Sequence, residues 1–352
     1  MDAPWMLYGA NGYTGQLIAR EAARRGWQPI LAGRSEEKIV RLANELGLEA
    51  RVFALADRAD AVMALKGIGL VLHCAGPFSA TSALLISACL ASGTHYLDIT
   101  GEIGVLEYAH EQGEAARAAG IVICPGVGFD VIPTDCVAAK LKSALPNATH
   151  LALGFNSGSA LSPGTAKTLL ESLAKGGKVR KDGKIVTVPL AHKTRRIDFG
   201  DGETLAMTIP WGDVSTAFYT TRIPNIEVYT SAAPALVMAA RMADHARRLL
   251  GADLVQKYLK RMFDKILKGP TGETRAATPG CVWGEVSNAA GEVKRARIMT
   301  ANGYSLTVSG ALAVVEHLTQ HQVQGGAYTP ATLVGPDLVV ELPGSRILAL
   351  DE

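Results

Sequence analysis

The first part of the chain repeats one hydrophobic pattern. Short, nearly continuous apolar runs alternate with longer segments in which apolar residues fall at helical spacing. The runs predict buried strands and the longer segments predict helices. Strands that alternate with helices form a parallel, doubly wound sheet, so the sequence predicts an α/β domain over residues 1–146. The six predicted strands are Trp5–Tyr8, Pro29–Ala32, Ala50–Ala56, Gly69–Cys74, Thr94–Thr100 and Ile121–Cys124.

The pattern changes after Pro146, where alternating segments come in pairs. Residues 178–190, 195–209 and 281–301 each fit two short strands joined by a turn that contains glycine. Hairpins of this kind require antiparallel pairing. A second, α+β domain with an antiparallel sheet is therefore predicted over residues 147–302, and its expected role is to bind a substrate or to dimerise.

Two predicted helices of this second domain, 235–250 and 254–268, each carry an apolar stripe opposite basic residues. Such a stripe is usually the core face of a packed helix. A basic amphipathic helix also suits an anionic membrane surface or an acyl chain, and a homodimer contact is a further alternative. The final segment, 303–352, is expected to return helices to the first domain. Further predicted helices are 105–119 in the first domain, 164–174 and 305–320 later in the chain, and one that begins at Thr329.

A glycine-rich turn follows the first predicted strand and leads directly into a helix. It reads Gly9-Ala10-Asn11-Gly12-Tyr13-Thr14-Gly15, which is one residue longer than the commonest dinucleotide fingerprint. In such turns one glycine permits the sharp bend, one lets the backbone approach a pyrophosphate, and one lets helix and strand pack closely. The phosphates then lie at the helix N-terminus. This context predicts a Rossmann-type dinucleotide site.

The residue that would select between NAD and NADP is Arg34, nineteen positions after Gly15 at the end of the second predicted strand. An acidic residue there would bind the ribose 2′-hydroxyl of NAD, whereas an arginine suits the doubly charged 2′-phosphate of NADP. Ser35 and Lys38 are placed to add to the same phosphate pocket. Asp57, at the end of the third strand, either meets the adenine edge or caps a helix. The sequence therefore predicts NADP.

Candidates for proton transfer lie where the later strands end. Tyr96 and Asp98 share one face of the fifth predicted strand, and Asp130 follows the sixth, with Asp135 behind it. Each has an alternative role, because Tyr96 also suits a half-buried aromatic position. Asp98 and Asp130 also suit a loop cap or a group that orients the ribose or the carboxamide.

Composition and charge argue against several classes of protein. The formal net charge is +2 and no charged tail is present, which argues against a nucleic-acid partner. The five cysteines are far apart and match no zinc pattern, so buried thiols in a reducing compartment are expected. The first strand begins within about four residues of the N-terminus, which leaves no room for a signal peptide and favours the cytoplasm.

Five motifs together carry a resemblance to a known family. GANGYTG, AGR, CAGPF, YLDITGE and PGVGFDVIPTD occur in this order, and the chain resembles the saccharopine dehydrogenase-like oxidoreductases, in particular the branch similar to trans-acting enoyl reductases. The likeness is strong over residues 5–145. By resemblance, the pyrophosphate would be held by Gly9, Asn11, Gly12, Tyr13, Thr14 and Gly15, and the 2′-phosphate by Arg34. The nicotinamide end would be lined by Ala75, Gly76, Pro77, Gly101 and Gly128.

The expected function is that of an NADP-dependent oxidoreductase that reduces a C=C or C=N bond. The hairpins and the methionine-rich helix of the second domain favour an apolar or acyl-type small-molecule substrate. A saccharopine-type amino-acid dehydrogenase is the first alternative. It would usually require several convergent arginines, for which Arg195 and Arg196 are candidates, although paired arginines in a strand more often solvate an edge. The second alternative is a sensor or scaffold that binds NADP without turnover.

Overall fold

The computed structural model describes residues 4–157, 170, 174–250, 252, 255–258, 261–262 and 278–350; within these ranges the side chains of 246–250 and 348–350 are left out of the description. The chain divides into two units. Unit 1 consists of Met1–Phe129 and Tyr304–Val334, and unit 2 of Asp130–Gly303 and Gly335–Glu352. The first division therefore falls after Phe129 rather than after residue 146, and the segment 303–352 is shared between both units.

The elements are numbered along the chain. The strands are β1 (Trp5–Tyr8), β2 (Ile30–Gly33), β3 (Ala50–Val52), β4 (Leu70–His73), β5 (His95–Asp98), β6 (Val122–Cys124), β7 (His150–Ser157), β8 (Gly177–Lys181), β9 (Lys184–Val188), β10 (Thr194–Asp198), β11 (Glu203–Thr208), β12 (Asn225–Ser231), β13 (Gly280–Ser287), β14 (Val293–Thr300), β15 (Gly326–Ala327) and β16 (Arg346–Leu350). The helices are α1 (Tyr13–Arg24), α2 (Glu36–Leu46), α3 (Arg58–Ala64), α4 (Phe78–Ser92), α5 (Ile103–Glu111), α6 (Gly113–Ala119), α7 (Ile132–Ala144), α8 (Asp213–Thr221), α9 (Pro234–Leu250), α10 (Gly303–Gln320), α11 (Pro330–Leu333) and α12 (Leu338–Glu341).

Unit 1 contains a seven-stranded parallel sheet in the order β15-β6-β5-β4-β1-β2-β3. Its central strands β1, β2 and β4 are buried along their whole length, as continuous apolar runs between two helical layers require. The six predicted strands and the parallel, doubly wound fold are confirmed. The seventh strand, β15, was not predicted, because two residues give no hydrophobic period.

The segment 105–119, predicted as one helix, forms two. Gln112 is both the C-cap of α5 and the N-cap of α6. A Cβ atom on Gly113, the first residue of α6, would lie 3.4 Å from the Cβ atom of Ala327 in β15. The break therefore lies where this part of the chain packs closely against the edge strand.

Unit 2 is built on a nine-stranded mixed sheet in the order β10-β11-β12-β7-β13-β14-β16, with β8 paired to β12 and β9 to β8. The three predicted hairpins are present as β8–β9, β10–β11 and β13–β14, all antiparallel. Strands β7 and β12 pair in parallel. Helix α7 packs on β13 so closely that a Cβ atom on Gly284 would lie 2.6 Å from Val137 Cγ1. Strand β16 formed from the tail that no sequence pattern assigned.

The apolar stripe predicted on α9 does not face the protein core. Met238 and Met242 are 59% and 68% exposed, whereas Val237 is buried against the β11 side of the sheet. Asp244 of the same helix accepts a hydrogen bond from Leu190 N at 3.0 Å. The expectation of a core-facing methionine stripe is therefore wrong for α9. Most residues of the two predicted helices, 164–174 and 254–268, lie outside the described part of the chain.

The five cysteines are free thiols, of which Cys74 and Cys281 are partly exposed. Among the residues that the structure describes, no helix has the length and apolarity needed to span a bilayer. The same residues contain no group of three or more His, Cys, Asp or Glu side chains suited to holding a metal ion.

Candidate dinucleotide site in unit 1

The turn between β1 and α1 is held against two neighbouring strands. Gly9 has a φ of +85°, and its N–H donates to Ala32 O of β2 at 2.8 Å. A Cβ atom on Gly9 would lie 2.7 Å from Ala75 N, in the segment that leaves β4. Only glycine combines this backbone conformation with such a close approach. The structure thus brings the predicted Gly9 and Ala75 together at the carboxyl edge of the sheet.

Helix α1 packs directly onto this turn. A Cβ atom on Gly15 would lie 2.3 Å from Gly9 O, and one on Gly12 would lie 3.3 Å from the same oxygen. Gly12 is the N-cap, where no side-chain hydrogen bond is made, and the first turn of α1 contains no acidic residue. The backbone N–H groups of Thr14 and Gly15 are therefore placed to meet an anion, and the glycines let the backbone of the turn pack closely beneath it. A diphosphate fits this cradle.

The other predicted residues of the turn have internal contacts. Asn11 O accepts a hydrogen bond from Gln16 Nε2 at 2.9 Å. The ring of Tyr13 packs edge-on against Tyr304 of α10, with 5.0 Å between the ring centroids. Thr14 lies half-buried in the first turn of α1. These contacts fix the shape of the turn, so the diphosphate would be met mainly by main-chain groups.

Arg34 follows β2 directly and is exposed. Within the described part of the chain its guanidinium group makes no hydrogen bond and no ion pair. Ser35 is the N-cap of α2 and makes no side-chain capping bond, and Lys38 is exposed one turn further on. The two cations and the hydroxyl that sequence predicted for the 2′-phosphate therefore lie at one edge of the sheet.

In this structure Asp57 caps a helix, which is the second of its two predicted roles. It is the N-cap of α3, and its Oδ1 accepts a hydrogen bond from Ala59 N at 2.5 Å. The capping bond occupies one of its carboxylate oxygens.

The segment Ala75-Gly76-Pro77 leaves β4 and enters α4, with Gly76 exposed. Here the N-terminus of α4 is already occupied by a carboxylate. Glu102 Oε1 accepts from Phe78 N and Glu102 Oε2 accepts from Ser79 N, both at 2.9 Å. Sequence reasoning did not single out Glu102, although an acidic residue directly after Gly101 at a strand end was a usable signal. A negative charge at this helix terminus is favourable.

A chain of buried polar groups lies beneath this edge. The hydroxyl group of Tyr96 donates to Asp98 Oδ2 at 2.7 Å and lies 3.1 Å from His73 Nδ1. A hydroxyl group has one proton, and the Tyr96 hydroxyl donates it to Asp98. We therefore assign this hydroxyl as the acceptor of the proton on His73 Nδ1. Burial lowers the pKa of His73 to about 3, so its ring is neutral. All three side chains are fully buried.

Asp98 also holds the segment that follows β6. Its Oδ1 accepts from Thr100 N and from Gly126 N, both at 2.9 Å, and its main-chain oxygen accepts from Val127 N at 2.7 Å. Burial raises the pKa of Asp98 to about 6, although these hydrogen bonds act in the opposite direction. With every carboxylate contact internal and no exposed surface, Asp98 and Tyr96 are arranged to position the β6 exit rather than to meet a substrate directly.

Gly128 lies in this exit and is buried. Its Cβ atom would lie 3.0 Å from Thr307 Cγ2 of α10 and 3.6 Å from Ile99 Cβ. Thr307 Oγ1 also accepts a hydrogen bond from Phe129 N at 3.0 Å. Thr307 was not predicted, because it reaches this segment from a distant helix. It fixes the end of β6 within unit 1.

Replacing Tyr96 by phenylalanine is expected to lower the free energy of unfolding by about 2 to 4 kcal/mol. The change leaves His73 Nδ1–H and Asp98 Oδ2 buried and without this partner, and each such group costs about 1 to 3 kcal/mol. Urea unfolding measures the effect. Tyr8→Phe is the matched control, since that hydroxyl makes a long bond of 3.3 Å to Phe53 O and joins no buried carboxylate. A Tyr96→Phe loss no larger than the Tyr8→Phe loss would contradict the proposed network.

Asp130, the third predicted acid or base, is the first residue of unit 2. It is half-buried, and Trp211 Nε1 donates to its main-chain oxygen at 3.1 Å. Burial raises the pKa of its carboxyl group to about 7. A carboxyl group with a pKa near neutrality is suited to both giving and taking a proton.

Further carboxyl groups lie between α7 and α8 within unit 2. Asp213 Oδ1 accepts from Thr134 Oγ1 at 2.6 Å, and Asp135 accepts from the Thr220 hydroxyl. Asp213 is fully buried, and its Oδ2 has no partner in the described part of the chain. Burial, with the nearby charges of Asp135 and Asp130, raises the pKa of Asp213 well above its ordinary value.

The raised pKa of Asp213 predicts a pH-dependent stability. Because the folded state holds this proton more tightly, its stabilising effect is complete below about pH 4, the ordinary aspartate pKa, and is lost as the pH rises toward the folded-state value. Asp213→Asn keeps an acceptor for Thr134 and cannot ionise. Relative to this variant, we expect wild-type stability to fall by about 1.4 kcal/mol per pH unit above pH 4. Urea unfolding across the pH range measures this, and a constant difference between the two proteins would contradict it.

Comparison with known proteins agrees with this geometry. Residues 5–124 match the family model described as the saccharopine dehydrogenase NADP binding domain. The chain is 30% identical over 207 residues to a saccharopine dehydrogenase-like oxidoreductase of Mus musculus, covering 50% of this chain and 47% of that protein. It is 33% identical over 141 residues to a trans-acting enoyl reductase of Mycobacterium leprae (strain TN), covering 37% of this chain and 33% of that protein. The chain thus spans less than half the length of either relative.

A solved structure extends the likeness to both units. The apo form of saccharopine dehydrogenase (L-Glu forming) from Saccharomyces cerevisiae aligns over 99% of this chain and 100% of that chain, with a TM-score of 0.65. At 12% sequence identity this match shows a shared fold. Residues 5–124 therefore match the family of the saccharopine dehydrogenase NADP binding domain, and the whole chain shares the fold of saccharopine dehydrogenase.

Proposed function

We propose that the protein is an NADP-dependent oxidoreductase. The observation that carries the proposal is the pairing of the open N-terminus of α1, over which the glycines leave no side chain, with Arg34, which has no ion-pair partner in the described part of the chain. The first suits a diphosphate and the second a phosphate dianion. When bound, NADPH supplies a hydride from its nicotinamide ring.

The residues that would hold NADP form three groups along the carboxyl edge of the sheet in unit 1. The turn from Gly9 to Gly15 would hold the diphosphate, and Arg34, Ser35 and Lys38 would hold the 2′-phosphate. Asp57 is proposed at the adenine edge in addition to its capping bond. The nicotinamide end is assigned to Ala75, Gly76, Pro77, Gly101 and Gly128. Glu102 would set the position of the first three of these by tying the start of α4 to the end of β5.

Asp130 is the proposed proton donor. Reduction of a C=C or C=N bond needs a proton as well as a hydride, and its raised pKa of about 7 keeps this carboxyl group partly protonated at neutral pH. It follows directly on the segment that leaves β6, and ligands of doubly wound sheets bind at the carboxyl ends of the strands. Tyr96 and Asp98, named as candidates from the sequence, would act by positioning that segment.

The proposed substrate is apolar or of acyl type. The name of the Mycobacterium leprae relative, an enoyl reductase, supports this choice. The exposed methionines of α9 add an apolar surface, which we propose as a contact for an acyl chain, a membrane surface or a second copy of the chain. Free thiols throughout suit a cytoplasmic location.

The test is to mix purified protein with NADPH and a panel of enoyl and imine compounds and to follow the absorbance of the reduced nicotinamide. We expect oxidation of NADPH with at least one acyl-type enoyl compound. NADPH formation from NADP and saccharopine would instead assign a saccharopine-type dehydrogenase. Tight NADPH binding without turnover of any compound would assign the sensor or scaffold, and failure to bind either nicotinamide dinucleotide would contradict the whole proposal.

A further inference from the structure

An arginine-lined cavity of about 330 Å³ lies on the sheet of unit 2. Four of its lining residues are arginines, Arg195 and Arg196 from β10 and Arg295 and Arg297 from β14. These strands are not neighbours in the sheet, so the arginines reach the cavity from two sides. Trp283 of β13 also lines it and is buried. The volume is that of a small-ligand pocket.

Two of these guanidinium groups share a single carboxylate. Arg195 Nη2 lies 3.1 Å from both oxygens of Glu285, and Arg295 Nε lies 2.6 Å from Glu285 Oε2. One negative charge therefore faces two positive charges at close range. Arg195 is also held over the Trp283 ring, with 4.6 Å from its guanidinium carbon to the ring centroid. Its position is thus fixed before any ligand arrives.

Glu203 also lines the cavity, so its four arginines face three carboxylates, those of Asp198, Glu203 and Glu285, and one positive charge is left over. Arg297 pairs with Asp198 at 2.5 Å, whereas the side chain of Arg196 makes no hydrogen bond or ion pair within the described residues. Each guanidinium has five N–H donors, and Arg195, Arg295 and Arg297 each use only one nitrogen. Unused guanidinium donors that line a cavity can bind an oxyanion.

We propose that this cavity binds a phosphate group, at a site separate from the dinucleotide site and independent of the proposed function. A tetrahedral phosphate dianion offers oxygens in several directions, which suits arginines that approach from β10 and from β14. A planar carboxylate offers both oxygens in one plane and would engage one side. The ligand is either inorganic phosphate or a phosphate monoester.

Calorimetry of the full chain with inorganic phosphate and with methyl phosphate, against chloride at equal ionic strength, tests the proposal. We expect Arg196→Gln to weaken binding of the phosphate group about tenfold. Arg196 makes no internal bond, so this variant is expected to fold normally, and Arg295→Gln gives an independent second variant. Lys184→Gln is the matched control, because it removes an exposed cation from β9 of the same unit, away from the cavity. It is expected to leave binding unchanged.

The two ligands separate the sources of phosphate. Tighter binding of methyl phosphate assigns a phosphate monoester, and equal or weaker binding assigns free phosphate; both support the site. The proposal is overturned if neither ligand binds, if Lys184→Gln weakens binding as much as Arg196→Gln, or if Arg34→Ala abolishes binding while Arg196→Gln does not. A dimer that forms without phosphate and is lost in Arg196→Gln would assign the surface to a second copy and would overturn it too.

Discussion

Gly15→Val is expected to abolish measurable NADPH binding and to lower the free energy of unfolding by about 3 kcal/mol. The Cβ atom alone would lie 2.3 Å from Gly9 O and 2.9 Å from Ala10 Cα. Both are backbone atoms of the turn, so they cannot move aside as a flexible side chain would. Either α1 or the turn must shift, and the amide groups that meet the diphosphate shift with it. Calorimetric titration with NADPH and urea unfolding measure the two effects.

Gly104→Val is the matched control for this substitution. Gly104 lies in the first turn of α5, is exposed, and has no atom within 4 Å of its would-be Cβ atom. The same added side chain is therefore expected to change stability by less than about 1 kcal/mol and to leave NADPH affinity unaltered. If Gly15→Val binds NADPH as well as Gly104→Val does, the turn is not the diphosphate site.

Arg34→Ala is expected to weaken NADPH binding by about 100-fold while changing NADH binding by less than about twofold. The guanidinium group would make charge-assisted hydrogen bonds to the 2′-phosphate, each with a contribution of about 1.5 to 3 kcal/mol, and NADH has no phosphate there. Since Arg34 makes no ion pair within the described residues, its loss breaks no internal contact. Fluorescence titration with both reduced dinucleotides gives the two dissociation constants.

Arg41→Ala provides the corresponding control. Arg41 is also exposed and lies in α2, the helix that begins beside Arg34. The Arg41→Ala variant removes the same charge from the helix that follows Arg34, so a general effect of charge would weaken NADPH binding in both variants alike. Equal losses of NADPH and NADH affinity in Arg34→Ala would refute the assignment of Arg34 to the 2′-phosphate.

The sequence predicts those parts of the fold in which apolar residues form a continuous run or recur at the spacing of a strand or a helix. Buried strands such as Leu70–His73 are continuous apolar runs, and the hairpins alternate about a glycine turn. Strand Gly326–Ala327 has neither signal, since its pairing with β6 is a tertiary contact. In α9 the helical spacing of apolar residues correctly indicates an amphipathic helix. It does not indicate which side of the helix packs on the sheet, where Val237 is buried and Met238 is not.

The residues of the candidate site also fall into two groups, those that the sequence predicts and those that it does not. The glycine turn and Arg34 are local in sequence, so spacing alone predicts them. Glu102 and Thr307 act on segments 24 and 178 positions away, at Phe78 and Phe129, and no spacing rule connects such pairs. The full burial of Asp98 likewise depends on how the layers close over β5. Sequence therefore places Asp98 at the correct edge of the sheet without revealing that its carboxylate faces inward.

Strand β15 has a consequence for how the protein is made. It joins unit 1 to the outer side of β6, where Gly326 N and Tyr328 N donate to Ile121 O and Ile123 O. During synthesis the outer edge of β6 therefore stays unpaired until the ribosome has made most of unit 2. An N-terminal fragment that stops at Phe129 would keep an open edge of the kind that pairs with other chains and aggregates. A self-standing nucleotide-binding unit would need residues 4–129 joined to 304–334.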